Sequence, residues 1–407
     1  MDGGSRSGVW SAMRGVLGTA FSVLWVALPA AAEEVRLESP GGGQAHAQVA
    51  VGTAGETVVA WRDWSSVGAY DVLARRFDSA GVPQGTSAFL VNTVTTGTQE
   101  FPDVALTQSG GFIVVWESLT GTQASGIRAR VYDDQAQPIG DERLVEVDGT
   151  VLERRPTISA APDGSFVVTW TVDYDSLRGR RLDSAGQPVG AELVLDVDGQ
   201  IRRAHGVAHN NDGDFLAAWR RELTPVARLF DAAGVPLASE VSLPGSSVAG
   251  TGPGVAFNGD RFLVVWNDVD TIFGRLLESS GDEIGSPFLI ADGIEPFFSS
   301  TAVAPGPDGD FEVVWNGPDD QGPGIVRRRV SSGGAPLGFE MRINSTAVGN
   351  QQLPDLAVDG AGRAAVVWEG PGVSGVGVYG CFNPVGAEIF ADGFELGDTS
   401  AWTSSFP

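Results

Sequence analysis

The sequence predicts an all-β fold built from seven copies of one four-stranded unit. Seven apolar runs, each ending in tryptophan, recur along the chain: TVVAW, FIVVW, FVVTW, FLAAW, FLVVW, FEVVW and AAVVW. Their tryptophans are Trp61, Trp116, Trp170, Trp219, Trp266, Trp315 and Trp368, spaced 47 to 55 residues apart. Four short antiparallel strands in each repeat of this length are typical of a seven-bladed β-propeller. An open β-solenoid of the same units is the alternative.

The second copy shows the four strands of the unit most clearly. They are Pro102–Leu106, Phe112–Trp116, Gly126–Asp133 and Arg143–Val147, and Gly, Pro or Asp residues separate them. The run that ends in Trp116 is apolar at every position, so both of its faces must be buried. We therefore expect each tryptophan strand to be the second strand of a blade, packed between two neighbouring blades.

The third strands share an arginine, and an acidic turn follows it three residues later. The arginines are Arg75, Arg130, Arg180, Arg228, Arg275 and Arg328, with Gly380 in the seventh copy. The acidic residues are Asp78, Asp133, Asp183, Asp231 and Glu278. Near the N-terminus, Val35–Ser39 is similar to a fourth strand that lacks its own blade. We predict that it completes blade seven, which would join the two ends of the ring.

These motifs resemble a repeat of large secreted bacterial proteins, many of which also carry calcium-binding repeats. The matching segments are Gly111–Trp116 and Leu73–Gly85 with the strand end Val91-Asn92, and the resemblance spans roughly residues 47–383. Glu388–Trp402 resembles a short signature near the C-termini of secreted proteobacterial proteins. The resemblance implies a secreted, surface-facing repeat protein of a Gram-negative bacterium, and it implies no defined reaction.

The N-terminal segment predicts export. Arg6 and Arg14 precede the apolar run Val16–Leu28, and Ala30-Ala31-Ala32 offers a cleavage site, so residues 1–32 are predicted to be a signal peptide. Residues 33–391 are then the propeller and 392–407 a C-terminal tail. The net charge of −25 argues against binding to nucleic acid or anionic membranes. We expect a monomer that is secreted, periplasmic or at the cell surface, with no membrane span.

The sequence offers few residues for catalysis or metal binding. It contains no Gly-x-Ser-x-Gly elbow, Walker loop or HExxH motif. His205 and His209 would share one side of a strand but lack an evident third ligand, so we predict no metal site there. The turns Asn210–Asp214 and Pro307–Asp310 resemble part of a calcium loop without its distant Glu. We expect no cofactor, with calcium at these turns as the open alternative to plain hairpin turns.

One sector of the acidic chain is basic. Two kinds of loop share one face of a propeller: those joining a fourth strand to the next first strand, and those joining strands two and three. The residues predicted to meet there, in blades three and four, are Arg154, Arg155, Arg202, Arg203, Arg220 and Arg221, with His205 beside them. Guanidinium groups suit carboxylates and sulfates, so this basic wedge predicts an acidic ligand. The alternative is that Glu153, Glu222 and Asp175 neutralise these arginines as surface ion pairs.

The sequence therefore favours an exported binding or scaffold module over an enzyme. Its predicted ligand is an acidic glycan or protein at the cell surface. The alternatives are an extracellular glycan hydrolase or lyase on the same fold, and a purely structural surface protein. Two carboxylates about 5–10 Å apart beside the central channel would favour the hydrolase.

Overall fold

The computed structural model describes residues 34–37, 43–64, 69–120, 125–146, 152–197, 201–244, 252–293, 300–319, 322–345, 349–372 and 375–383. These residues form seven four-stranded antiparallel sheets. No helix within these ranges is both long and apolar enough to cross a membrane. The predicted signal peptide and the C-terminal tail lie outside the described residues.

The strands follow the predicted units closely. β1 is Glu34–Arg36. Blades one to three contain β2 (Ala45–Val51), β3 (Thr57–Trp64), β4 (Tyr70–Phe77), β5 (Pro83–Leu90); β6 (Thr98–Leu106), β7 (Phe112–Leu119), β8 (Ser125–Tyr132), β9 (Arg143–Leu144); and β10 (Glu153–Ala160), β11 (Phe166–Val172), β12 (Ser176–Leu182), β13 (Pro188–Asp196). Blades four and five contain β14 (Ile201–His209), β15 (Phe215–Arg221), β16 (Thr224–Phe230), β17 (Val241–Ser242); and β18 (Gly254–Phe257), β19 (Arg261–Asp268), β20 (Thr271–Glu278), β21 (Glu283–Asp292). Blades six and seven contain β22 (Thr301–Pro305), β23 (Phe311–Asp319), β24 (Gly322–Val330), β25 (Pro336–Arg342); and β26 (Gln352–Val358), β27 (Ala364–Gly372), β28 (Gly375–Asn383).

The seven sheets close into a ring. The first strands of successive blades (β2, β6, β10, β14, β18, β22 and β26) contact one another in this order, and β26 returns to contact β2. These inner strands surround a central channel. The predicted seven-bladed β-propeller is therefore confirmed, and the open solenoid is wrong.

The N-terminal strand supplies the outer strand of blade seven, as predicted. β1 pairs antiparallel with β28, with Val35 opposite Gly380. The N–H of Leu37 continues the pairing by donating to the carbonyl of Val378 at 3.1 Å. Blade seven therefore combines both ends of the ring. The other candidate strand, Glu388–Ala391, lies outside the described residues.

The repeated tryptophans fill the spaces between blades. All seven are at most 1% exposed, so the prediction that their strands are buried is confirmed. Trp116 of blade two, for example, packs in one core with Val58 and Ala74 of blade one. Its indole N–H donates to Gln99 Oε1 at 3.0 Å, and that of Trp368 donates to Gln351 Oε1 at 2.9 Å.

The repeated arginines and acidic turn residues also have structural partners. Arg75, Arg130 and Arg328 donate to the carbonyls of Leu37, Val91 and Ile290, each in the outer-strand segment of the preceding blade, at 2.8 to 2.9 Å. In the turns, Asp133 Oδ1 accepts the N–H groups two and four residues later, at 2.9 and 2.7 Å. Both repeated positions therefore stabilise the ring and its hairpins.

Candidate functional site

β-Bulges near the start of the inner strands direct side chains into the channel. The pairing register shifts in five of these strands, β2, β6, β10, β14 and β26. In β2, β6, β10 and β26 one residue of the bulge has a positive φ: His46 (54°), Phe101 (48°), Arg155 (54°) and Leu353 (51°). Because a bulge re-aims the side chains of its strand, these four residues line the same cavity in the central channel, whose volume is about 380 Å³.

The wall of this cavity is one-sided. Blades seven, one, two and three supply large or polar residues at two successive levels: Leu353, His46, Phe101 and Arg155, then Asp355, Gln48, Asp103 and Thr157. At the same two levels, blades four, five and six supply small residues: Gly206, Gly252, Gly254, Ser300 and Ala302. His205 of blade four also lines the cavity. The structural repeat is thus broken at the channel, and most of the charged and polar side chains of these two levels lie on one half of the wall.

The bulge residues of blades one, two and three pack side by side. The rings of His46 and Phe101 have centroids 4.3 Å apart. The guanidinium carbon of Arg155 lies 4.2 Å from the centroid of Phe101, which is a cation–π geometry. Phe101 therefore holds a neutral imidazole and a permanent cation in fixed positions beside the cavity.

Two buried glutamates hold these bulges from behind. Glu117 follows Trp116, and its Oε2 accepts the backbone N–H of Arg155 at 3.2 Å. Glu369, at the aligned position after Trp368, accepts the backbone N–H of His46 at 2.7 Å. Burial raises the pKa of Glu117 to about 7, although the charge of Arg154 and the N–H of Arg155 oppose the shift. Each acid thus fixes a residue of the next blade.

Two aspartates on the same half of the wall bridge neighbouring inner strands. Asp103 Oδ2 accepts the N–H of Ile158 in blade three, and Asp355 Oδ2 accepts the N–H of Val49 in blade one, both at 2.8 Å. Burial raises the pKa of Asp103 to about 7 and that of Asp355 to about 6. The negative charge of Asp355 contributes to the shift at Asp103. The cavity therefore contains two carboxyl groups that titrate near neutral pH.

The histidines near the channel are neutral at pH 7. Burial lowers the pKa of His46 to about 3, and the charges of Arg62 and Arg155 act in the same direction. Burial likewise lowers the pKa of His205 to about 4, against the effect of the nearby Thr169 carbonyl. Neither ring nitrogen of His205 has a hydrogen-bond partner with good geometry within the described ranges, and the residue is 8% exposed.

The structure distributes the predicted basic wedge over several environments. Arg155 lines the cavity, as does His205, whereas Arg154 forms an ion pair with Glu117 at 3.5 Å. Arg220 is buried. Arg202 and Arg203 belong to β14, but their side chains lie outside the described residues. The role of these residues in ligand binding stays a prediction.

Two arginines of the wedge pair with carboxylates that the sequence analysis did not name. Arg221 donates to Asp196 at 2.8 Å and to Glu240 at 2.7 Å. Arg154 thus pairs with Glu117, and Arg221 with Asp196 and Glu240. Neutralisation of the wedge by Glu153, Glu222 and Asp175 stays a prediction. These partners come from other strands of the blade or from the preceding blade, which a loop-by-loop reading of the sequence does not reveal.

The turns proposed for calcium are held by hydrogen bonds and ion pairs. Asn210 Oδ1 accepts the N–H groups of Asp212 and Asp214 at 3.0 and 2.9 Å. Asp310 pairs with Arg329 at 3.0 Å. Among the described residues, no group of three or more His, Cys, Asp and Glu side chains could hold a metal ion. Calcium binding stays a prediction.

Several solved structures share the architecture. The chain is similar to the BP39L lectin from Burkholderia pseudomallei, with a TM-score of 0.57 and 13% identity over 84% of this chain and 98% of the lectin. A protein of unknown function from Dyadobacter fermentans gives a TM-score of 0.52 and 11% identity over 86% and 97% of the two chains. A mutant NanB sialidase from Streptococcus pneumoniae gives a TM-score of 0.51 and 9% identity, over 86% of this chain and 70% of the sialidase. At these identities the likeness shows the fold alone. No protein-family model and no curated protein matches the sequence.

Proposed function

We propose that the protein is an exported glycan-binding propeller that holds an acidic sugar in the one-sided cavity of its channel. The observation that carries the proposal is the row His46, Phe101 and Arg155 along one half of the wall, opposite glycine, serine and alanine. The cavity volume of about 380 Å³ lies in the range of small-ligand sites. The predicted signal peptide, residues 1–32, supports export.

The chemistry of the wall suits a sugar that carries a carboxylate or sulfate. Arg155 offers a planar fork of donors for such a group. Its contact with Phe101 and the bond from its N–H to Glu117 fix it before the ligand arrives, which reduces the entropic cost of binding. A neutral imidazole such as His46 offers one donor and one acceptor, the combination that a sugar hydroxyl can meet. The lectin and sialidase named above share the fold, and sites of both kinds occur on propellers.

A glycan array with the mature protein tests the proposal. We expect retention of carboxylated or sulfated glycans over neutral ones, and Arg155→Ala should weaken that binding at least about tenfold, or 1.4 kcal/mol. Arg181→Ala is the charge-matched control, because Arg181 lies beside the turn residue Asp163, outside the cavity lining. Equal retention of neutral and acidic glycans, or unchanged binding by the Arg155 variant, would contradict the proposal.

The second candidate function is glycan hydrolysis at the same cavity. Asp103 and Asp355 both line it, and a carboxyl group with a pKa of about 7 is suited to donate a proton. We rank this function second because both aspartates already accept backbone N–H groups of the next blade. Release of reducing sugar from an array-positive glycan, abolished by Asp103→Asn and by Asp355→Asn, would establish it. The clustered wall argues against a purely structural role.

A further inference from the structure

Blade one carries an exposed tryptophan paired with a partly buried tyrosine, and no other blade has an aromatic residue at the position of that tryptophan. Trp64 is 49% exposed, whereas the seven repeated tryptophans are at most 1% exposed. It lies three residues after Trp61, and it pairs across the strands with Tyr70. The aligned residues of the other blades are Leu119, Asp173, Glu222, Val269, Pro318 and Pro371. Since none of these is aromatic, the repeat itself does not require Trp64.

The pair is held rigidly. The rings of Trp64 and Tyr70 meet edge to face, with centroids 4.8 Å apart. The guanidinium carbon of Arg62 lies 4.2 Å from the centroid of Tyr70, and Arg62 also forms an ion pair with Glu100 of blade two. Gly43 packs against Trp64 so closely that a Cβ at that position would lie 2.9 Å from Trp64 Cβ. An exposed indole fixed in this way loses little conformational freedom when a ligand covers it.

The pair and the cavity lie on the same side of the ring. Gly43, which contacts Trp64, precedes the bulge residue His46 by three positions, and three residues of extended chain span about 10 Å. Arg62 is close to both sites: its guanidinium group lies over the Tyr70 ring, and its charge helps to lower the pKa of His46. A short oligomer that enters the cavity could therefore continue over blade one.

We infer that Trp64 and Tyr70 form a second subsite, on which the next sugar unit of an oligosaccharide stacks while the terminal unit occupies the cavity. One face of a pyranose ring is lined by C–H groups, and the indole offers a flat apolar surface of similar size beside a polar handle. The cavity lacks such an open surface, since Phe101 already packs against His46 and Arg155. This inference rests on the proposed function and extends it from one sugar unit to a chain.

Calorimetric titration of the mature protein with galacturonic acid, its tetramer and cellotetraose tests the inference. We expect the tetramer to bind about tenfold more tightly than the monomer, because only the tetramer reaches Trp64. Trp64→Ala should reduce tetramer affinity to that of the monomer and leave monomer affinity unchanged. Trp64→Phe should keep part of the affinity difference between tetramer and monomer. Val269→Ala, at the aligned and exposed position of blade five, should change neither the tetramer affinity nor the monomer affinity.

The variants separate failure of the second subsite from failure of the cavity. If Trp64→Ala leaves tetramer binding unchanged while Arg155→Ala weakens it, the cavity function stands and the second subsite is overturned. If only Trp64→Ala weakens binding, Trp64 and Tyr70 bind sugar without the cavity, and both the cavity function and its extension to a second subsite are overturned. If Trp64→Ala instead abolishes a concentration-dependent association seen by size-exclusion chromatography, the pair is a protein contact and the inference is wrong. Failure of all three sugars to bind overturns both.

Discussion

Single residues in this protein divide into those that the repeat requires and those that break it. The seven repeated tryptophans belong to the first class, since each fills the space between two sheets. His46, Phe101 and Arg155 belong to the second class, because the same position in other blades is small or aliphatic. Comparing the copies within one chain thus separates positions that maintain the fold from positions available for binding.

The first class predicts a large loss of stability upon truncation. Trp170 is fully buried and its indole N–H donates to Glu153 at 3.3 Å. Trp170→Ala should therefore lower the free energy of unfolding by about 3–5 kcal/mol, as expected for a large core aromatic residue. Denaturant titration of the purified protein measures this loss.

The matched control is Trp64→Ala, since Trp64 is the half-exposed tryptophan of blade one. Its cost should be about 1 kcal/mol or less, as for surface substitutions that leave the core intact. A similar cost for both variants would show that burial between blades does not set the contribution of Trp170.

At the scale of strands, the sequence predicts the blades well because their periodicity is strong. Apolar runs, turn residues and the seven copies identify the four strands of each blade, and the N-terminal segment pairs with β28 as predicted. The outer strands are less regular: β9 has only two residues, Arg143–Leu144, where the prediction extends to Val147. Outer strands have one neighbour, so fewer contacts constrain their length.

The candidate site was harder to predict because of the bulges. Simple alternation places residues of a strand on fixed faces, but an extra residue in the pairing reverses that phase. At Phe101 and Arg155 the register shift therefore turns toward the channel side chains that a regular strand would place elsewhere. Proline follows both of them, Pro102 and Pro156, and that repeated proline is the signal in the sequence that could have indicated the bulges.

The pairing of β1 with β28 predicts that the N-terminus stabilises the whole ring. Deleting residues 33–39 would expose the edge of β28 and remove the acceptor that Arg75 finds at the Leu37 carbonyl. We expect a clear fall in melting temperature, because both the edge and the adjoining core of Leu37 and Trp61 lose contacts. Deletion of the tail, residues 392–407, is the control and should have a much smaller effect. The reverse order would show that the C-terminal segment closes the ring.

The whole molecule combines a strongly acidic surface with buried acids between its blades. The formal net charge is −25, and burial raises the pKa values of Asp103 and Glu117 to about 7. Two further acids, Glu146 and Glu153, lie together between blades two and three. Burial raises both of their pKa values, and their mutual repulsion raises that of Glu153 further. Protonation of these groups in the folded state relieves an unfavourable burial of charge.

These acids predict that the protein becomes less stable as the pH rises from about 6.5 to 8. Each acid has a higher pKa when folded than when unfolded, so in this range the folded state holds more protons and the free energy of unfolding falls with pH. The buried histidines act in the opposite direction because the unfolded state takes up their protons around pH 6.5, and this opposition fades as the pH rises toward 8. Melting temperatures measured across this interval at constant ionic strength should therefore decrease steadily.

Two variants test whether the buried acids cause this decrease. Glu153→Gln should make the fall in melting temperature with pH smaller, whereas Glu283→Gln, on the exposed outer strand β21, should leave it unchanged. A melting temperature that rises with pH in the parent protein would show that the buried acids are stabilised as carboxylates.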